Sequence, residues 1–142
     1  MSLLYLDASS IVTIFVEEPE TQTIVDIVTA CDTPPIVSDF AAGEVASAIS
    51  RRLRERSFTE TEARALLGQF DRWCRYATRV VEITSEDVSR AIALVRRFDL
   101  KLRMPDALHL AVAESRSAQL LTRDGLMGDA ARLLGIDVYT AA

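Results

Sequence analysis

Hydrophobic and polar positions follow two patterns that alternate along the chain. Short apolar runs of strand length occupy residues 3–7, 36–38, 79–83, 119–122 and 136–139. Between them, apolar residues recur at the three- and four-residue spacing of amphipathic helices. Strands that alternate with helices are typical of a parallel sheet with helices on both faces. The pattern therefore predicts the α/β fold class.

Helix boundaries are indicated by capping residues, by proline and by charge. We expect a second helix over residues 20–31, a third from about residue 38 or 39 to 54, and a short last helix over 126–134. Ser, Thr and Pro mark other starts, because hydroxyl groups accept hydrogen bonds from free helix N–H groups and Pro has none to satisfy. The predicted caps or first residues are Ser9 or Ser10, Thr59 with Glu62 as a capping box, Ser85, and Pro105.

Length and composition favour one globular domain spanning residues 1–142. Apolar residues make up 49% of the 142 positions, enough for a sizeable core. No apolar stretch approaches the roughly 20 residues of a membrane span, and no basic region precedes the first apolar run as in a secretory signal. Cys31 and Cys74 have no metal or redox spacing, which suits two unpaired thiols in a reducing cytoplasm.

The charge distribution gives two opposite indications. The net charge of −5 argues against a nucleic-acid binder, which is usually basic. However, fifteen of the sixteen basic residues are Arg, whose planar fork binds phosphate better than Lys does. One group, Arg51 to Arg56, is dense enough to form a local positive surface. The alternative is a solvated helix face with salt bridges between successive turns.

Four carboxylates stand where a fold of this class could bring them together. Asp7 and Asp124 each follow an apolar strand, and ligands of open parallel sheets bind outside the carboxyl ends of the strands. Glu44 lies on or beside the apolar stripe of the third helix, and Asp106 opens a nearly all-apolar helix. Acids gathered in one cleft repel each other unless a cation neutralises them. Hard oxygen ligands suit Mg²⁺ or Mn²⁺, so we predict a metal site.

Each of these acids also has a simpler interpretation. Asp7 could cap the first helix, although Ser9 and Ser10 are expected to do so. Glu44 could reach solvent, Asp106 could interact with its helix dipole, and Asp124 could form a turn before glycine. The only histidine, His109, is more often a packed or hydrogen-bonded residue than a general base in such a position.

Several nucleotide and phosphate enzymes are disfavoured by missing motifs. The chain has no GxxxxGK[ST] loop and no GxGxxG turn. A haloacid-dehalogenase phosphatase would have Asp-x-Asp after the first strand, where this chain reads Asp7-Ala8-Ser9.

Four stretches in order, LYLDASSIV, VSDFAAGEVASAI, LRMPDALHLAVA and LLTRDGLM, resemble the PIN-domain ribonucleases, and most closely the VapC toxins of bacterial toxin–antitoxin pairs. The resemblance implies a single α/β/α domain around a parallel sheet. It also implies a Mg²⁺- or Mn²⁺-dependent endoribonuclease toxin that hydrolyses RNA with metal-activated water. Its acidic site would be Asp7, Glu44, Asp106 and Asp124, with Ser9 and Thr122 as supporting polar residues.

The expected partners are RNA, a cognate VapB-like antitoxin that inhibits the nuclease, and a second copy of the chain in a homodimer, all in the cytoplasm and without a membrane. Two alternatives are an inactive PIN-like module that only binds partners and a metal-dependent phosphatase acting on small substrates. The sequence does not indicate which RNA is cleaved.

Overall fold

Five short parallel strands form one sheet in the computed structural model of the chain, which describes residues 3–140. The strands are β1 (Leu3–Leu6), β2 (Ile36–Ser38), β3 (Arg79–Val81), β4 (Ala118–Thr122) and β5 (Val138–Thr140). The helices are α1 (Ala8–Phe15), α2 (Thr21–Thr29), α3 (Asp39–Arg54), α4 (Glu60–Ala77), α5 (Ser85–Val95), α6 (Met104–Ser115) and α7 (Gly125–Leu133). This architecture confirms the predicted α/β class.

The strand order creates a crevice next to the first strand. Across the sheet the order is β3-β2-β1-β4-β5. The second and third strands therefore lie on one side of β1, and the fourth and fifth strands lie on the other. Leu6 of β1 lies opposite Leu121 of β4, and the residues that follow these two strands are therefore neighbours. At such a reversal, the connections leave the two strands on opposite sides and open a ligand-binding crevice at their carboxyl ends.

The two faces of the sheet carry separate cores because successive side chains of a strand point to opposite faces. Leu4 and Leu6 pack with the first four helices. Tyr5 points the other way, into the core formed with α5, α6 and α7. The resulting three layers are the α/β/α arrangement predicted from the sequence.

The structure corrects three predicted helix starts. Asp7, rather than Ser9 or Ser10, caps α1 by accepting a hydrogen bond from the backbone N–H of Ser10. Thr84 caps α5, so Ser85 is its first helical residue. Pro105 is the second residue of α6, which begins at Met104. In each case the residue nearest the end of the preceding extended segment has the non-helical backbone that a cap requires.

Other boundaries differ by a few residues. The capping box of Thr59 and Glu62 is present as predicted, whereas β3 is shorter than expected and ends at Val81. β5 begins at Val138, two residues later than predicted. A short 3₁₀ helix at Phe98–Leu100 was not predicted. Within residues 3–140, no helix is long and apolar enough to cross a membrane.

Candidate active site

Asp7 is buried at the carboxyl end of the central strand, with 2% of its surface exposed. Its carboxylate accepts hydrogen bonds from the hydroxyl of Ser9 at 2.8 and 2.9 Å, from the backbone of Ser10 at 3.0 Å and from Thr122 Oγ1 at 2.6 Å. A buried carboxylate needs such donors, because desolvation otherwise strongly disfavours its charge. Both oxygens are engaged, Oδ1 by Ser9 and Ser10 and Oδ2 by Ser9 and Thr122, so a ligand role would require Asp7 to give up some of these hydrogen bonds.

Thr122 connects the ends of β1 and β4. Its hydroxyl donates to Asp7 and accepts from the backbone N–H of Asp124 at 2.9 Å. Ser9 forms a second connection, since its Oγ accepts from the backbone N–H of Arg123 at 3.1 Å. Asp124 itself caps α7 by accepting from the backbone N–H groups of Leu126 and Met127. The two strand ends are thus held together by side chains rather than by sheet hydrogen bonds alone.

Glu44 and His109 form a short hydrogen bond, with 2.5 Å between Glu44 Oε1 and His109 Nε2. His109 Nδ1 lies 2.6 Å from the hydroxyl of Tyr5, which lies 2.9 Å from Ser38 Oγ. Ser38 Oγ accepts from the backbone N–H of Ala41 and caps α3. These contacts link the start of α3 to Glu44 on the same helix through residues of β1 and α6.

Only one arrangement of hydrogens satisfies every donor in this network. The N–H of Ala41 donates to Ser38 Oγ, and among the contacts of this network the Tyr5 oxygen is the acceptor that remains for the hydrogen of the Ser38 hydroxyl. Tyr5 then donates to His109 Nδ1, and the remaining imidazole hydrogen is on Nε2, where it is donated to Glu44. Burial raises the pKa of Tyr5 well above its ordinary value, so its hydroxyl keeps its hydrogen.

Asp106 lies one helical turn before His109 on α6. Its Oδ2 accepts from the backbone N–H of Arg103 at 3.2 Å and lies 3.7 Å from the Arg103 guanidinium. The side chain of Asp106 is 17% exposed, whereas that of Arg103 is 82% exposed. The hydrogen bond and ion pair of the Asp106 side chain are therefore with Arg103 at the start of its own helix.

Beside these acids lies a cleft of about 650 Å³, which we call the arginine cleft. It is lined by Glu44 and Ser9 on the side of the acids and by Glu18 with four arginines elsewhere. Those arginines are Arg51, Arg52, Arg54 and Arg123. The cleft is locally basic although the whole chain carries a net charge of −5.

The four acids provide the right atoms for a hard divalent cation but do not form a ready cage. Within residues 3–140, no three His, Cys, Asp or Glu side chains lie together so as to hold a metal ion. Their carboxylate oxygens are the ligands that Mg²⁺ and Mn²⁺ prefer, so the donor set fits such an ion. Binding would require the acids to exchange some of their present hydrogen bonds for the cation.

Three residues of this region were not predicted as parts of the site. Tyr5 is the one polar side chain in an apolar strand, and a buried Tyr hydroxyl usually needs a partner, which was a usable signal. Arg123 stands between Thr122 and Asp124, and its guanidinium contacts are with Thr13, Glu18 and Glu20, which are far from it in sequence. Glu18 gave no signal, because the partners of its side chain are more than thirty positions away. His109 is buried and hydrogen-bonded, in line with the simpler of its two interpretations.

The chain belongs to the PIN domain family, whose profile matches residues 4–133. This confirms the family resemblance inferred from the four sequence stretches. The PIN domain is a family of nucleases that generally depend on divalent metal ions. A comparison with curated protein sequences finds no match.

Several solved structures with the same fold are described as toxins or toxin–antitoxin complexes. FitAcB from Neisseria gonorrhoeae superposes with a TM-score of 0.78 at 14% identity, over 98% of each chain. A toxin–antitoxin complex from Klebsiella pneumoniae gives 0.68 at 23% identity, over 99% of this chain and 98% of that one. VapC20 of Mycobacterium tuberculosis, described as a sarcin–ricin loop cleaving toxin, gives 0.70 at 19% identity, over 89% and 94%. At these identities the likeness concerns the fold.

Proposed function

We propose that the protein is a metal-dependent endoribonuclease and the toxin of a toxin–antitoxin pair. The observation that carries this proposal is the position of Asp7. It is a buried carboxylate in the crevice between β1 and β4, next to a cleft lined by four arginines. Acids that hold a cation and arginines that hold phosphates are the two components that cleavage of an RNA strand requires.

The proposed metal ligands are Asp7, Glu44, Asp106 and Asp124. A divalent ion bound by them would activate water and offset the charge of the phosphodiester. Mg²⁺ and Mn²⁺ both suit these oxygens. Thr122 and Ser9 orient the carboxylate of Asp7, and His109 orients that of Glu44. Because His109 is hydrogen-bonded on both ring nitrogens, we assign it a positioning role and not that of a general base.

The RNA strand would enter along the arginine cleft. Arg51 is exposed and pairs at 3.7 Å with Glu55, the residue that follows the end of α3. Exposed ion pairs of this kind contribute little, so Arg51 is available to a phosphate at small cost. Recognition of RNA by shape and by exposed bases is usual for proteins that lack a groove-reading helix.

The proposed partners are a VapB-like antitoxin and a second copy of this chain. The related structures include complexes described as VapBC and FitAB, which supports an antitoxin partner. An antitoxin Arg or Lys placed among Asp7, Glu44, Asp106 and Asp124 would pair with the carboxylates and compete with the metal ion. Light scattering of the free chain tests the homodimer, and cytoplasmic localisation is part of the same proposal.

The experiment is cleavage of bulk RNA by the purified chain with Mg²⁺ or Mn²⁺, with and without EDTA, followed by mapping of the new 5′ ends. The test variant is Asp7→Asn. The matched control is Asp129→Asn on α7, whose side chain is 73% exposed and pairs with Arg132. We expect cleavage by wild type and by the control only. Cleavage that is unaffected by EDTA, or by Asp7→Asn, would contradict the proposed site.

One rival function has an observation in its favour. In the described part of the chain the acids do not form a preassembled metal group, as expected of a PIN-like module that only binds partners. Such a module would bind the antitoxin yet leave RNA intact at every metal concentration. The small-substrate phosphatase is tested in parallel with p-nitrophenyl phosphate, and the open, arginine-lined cleft favours a polymer instead.

A further inference from the structure

Glu18 places its carboxylate between two arginines of the arginine cleft. One oxygen, Oε1, lies 3.3 Å from Arg52 Nη2, and the other, Oε2, accepts a hydrogen bond from Arg123 Nη1. The three residues come from the α1–α2 loop, from α3 and from the β4–α7 loop. An anion held by two guanidinium groups, with one oxygen to each, has the geometry in which arginines bind a phosphate.

We propose that Arg52 and Arg123 form a subsite for a backbone phosphate of the RNA strand, and that Glu18 occupies this subsite until RNA displaces it. The proposal rests on the proposed function for the identity of its ligand. It adds a residue, Glu18, that opposes substrate binding, and a cation, Arg123, that no sequence pattern indicated. The incoming phosphate would take over the guanidinium contacts that Glu18 makes now.

Arg123 is held imperfectly by the protein, which favours exchange of its partners. Its Nη2 lies 3.0 Å from Glu20 Oε2, yet this oxygen makes no hydrogen bond of acceptable geometry. Within residues 3–140, Glu20 Oε2 and Arg123 Nε are the buried side-chain atoms of this kind that lack a hydrogen-bond partner. Arg123 Nη1 also donates to Thr13 Oγ1 at 2.9 Å, which keeps the guanidinium in place.

The position and exposure of the three side chains suit a strand that passes on to the acids. Glu18, Arg52 and Arg123 are 22%, 31% and 25% exposed, and all three line the arginine cleft. The backbone N–H of Arg123 donates to Ser9, which in turn donates to Asp7. Because Ser9 lines the same cleft as the two arginines, a strand held at the subsite would pass close to Asp7.

The subsite is tested by RNA binding without cleavage. A fluorescein-labelled single-stranded RNA of about 12 nucleotides, within the usual length of a single-strand site, is titrated with the full chain in EDTA. Anisotropy gives the affinity across about 50 to 200 mM salt, where phosphate contacts are most evident. A gel of the labelled RNA after each titration verifies that it is intact.

Glu18→Gln should bind the RNA about three- to tenfold more tightly than wild type, because two partly buried ion pairs no longer compete with the phosphate. The matched control is Glu60→Gln, which also removes one negative charge and breaks an exposed pair with Arg64, but outside the cleft. It should stay within about twofold of wild type, since a distant exposed charge is screened.

The two arginines should behave in the opposite way. Arg52→Gln and Arg123→Gln should each weaken binding and reduce the salt slope by about 0.7, the contribution of one phosphate contact to a single strand. Arg64→Gln on α4 is their matched control. An unchanged slope in both cleft variants would overturn the subsite.

Glu18 has a competing role as a brace that merely fixes the two arginines. If Glu18 only fixes the two arginines, Glu18→Gln should bind RNA more weakly than wild type. That result would overturn the proposal, and so would an RNA affinity of Glu18→Gln equal to that of Glu60→Gln. If Glu18→Gln does not fold, Glu20→Gln replaces it, and a gain of about two- to threefold is expected from releasing Arg123 alone. If Glu20→Gln also gains no RNA affinity, the proposal is overturned.

The outcomes also separate this proposal from the proposed function. If wild type shows no metal-dependent cleavage but Glu18→Gln binds RNA more tightly than its control, the subsite is supported and the nuclease assignment fails. If wild type cleaves RNA and Glu18→Gln gains no affinity, the nuclease is supported and the subsite is overturned.

Discussion

Replacing Tyr5 by Phe removes a single oxygen from the middle of the network that ends at Glu44. The ring of Tyr5 is fully buried and keeps its packing, so no cavity larger than a hydroxyl group is created. Two hydrogen bonds are lost, to Ser38 and to His109. The Ser38 hydroxyl then has no acceptor for its hydrogen, and His109 Nδ1 has no donor.

The cost follows from those two buried groups. An unsatisfied buried polar group costs about 1–3 kcal/mol, so we expect Tyr5→Phe, which leaves two such groups, to lower the free energy of unfolding by about 2–6 kcal/mol. For a chain of 142 residues this corresponds to a Tm lower by roughly 7–20 °C. The matched control, Tyr139→Phe on β5, removes a hydroxyl from a side chain that is 45% exposed. It should change stability by less than about 0.5 kcal/mol.

Two measurements check the reasoning. Urea unfolding of Tyr5→Phe, Ser38→Ala and the double variant isolates the bond between the two hydroxyls, with an expected coupling of about 0.5–3 kcal/mol. Nitrogen-15 spectra of the single histidine should show hydrogen on Nε2 in wild type. Equal stability of Tyr5→Phe and Tyr139→Phe, or a histidine with hydrogen on Nδ1, would refute the network as described.

Three further predictions concern the site and the thiols. Asp7→Asn should abolish RNA cleavage. It should also lower the free energy of unfolding by about 1–2 kcal/mol, because the carboxylate caps α1 and accepts hydrogen bonds from Ser9 and Thr122. A variant that calorimetry shows to be more stable than wild type would contradict this. His109→Gln should retain more than about a tenth of the cleavage rate, since a general base contributes roughly 10²–10⁴-fold; a thousandfold loss with metal binding intact would indicate a catalytic role. Burial raises the pKa of Cys74 to about 11, so its thiol should react with a disulfide reagent only slowly at neutral pH. The stability that the neutral thiol contributes should be lost as pH rises from about 9 to about 11. Fast labelling of Cys74 in the folded protein would contradict this prediction.

The elements of the fold could be predicted because their signals are local. Apolar runs, the capping box of Thr59 and Glu62, and the acids after two strands are all visible over a few residues. The choice between adjacent caps was not predictable in the same way. Asp7 and Ser9 are both good caps, and only the backbone at the end of β1 decides between them.

Contacts between distant segments were beyond the sequence patterns. His109 is 65 positions from Glu44, and Arg123 is 105 positions from Glu18. Helical spacing indicates which residues share a face but not which helix or loop that face meets. The sequence therefore indicated the acids at the strand ends, while the groups that orient them required the three-dimensional arrangement.

The central place of the first strand has a consequence for the timing of synthesis. Thr122, which donates to Asp7, lies 115 positions later in the chain, and β4 must pair with β1 before the two meet. At about 5–20 residues per second, the ribosome needs roughly 6–23 seconds between these two residues. The nascent chain therefore has no assembled acidic crevice until residue 122 has been made. If the chain is the proposed nuclease, an antitoxin that is already present at that moment would meet it as it first becomes competent.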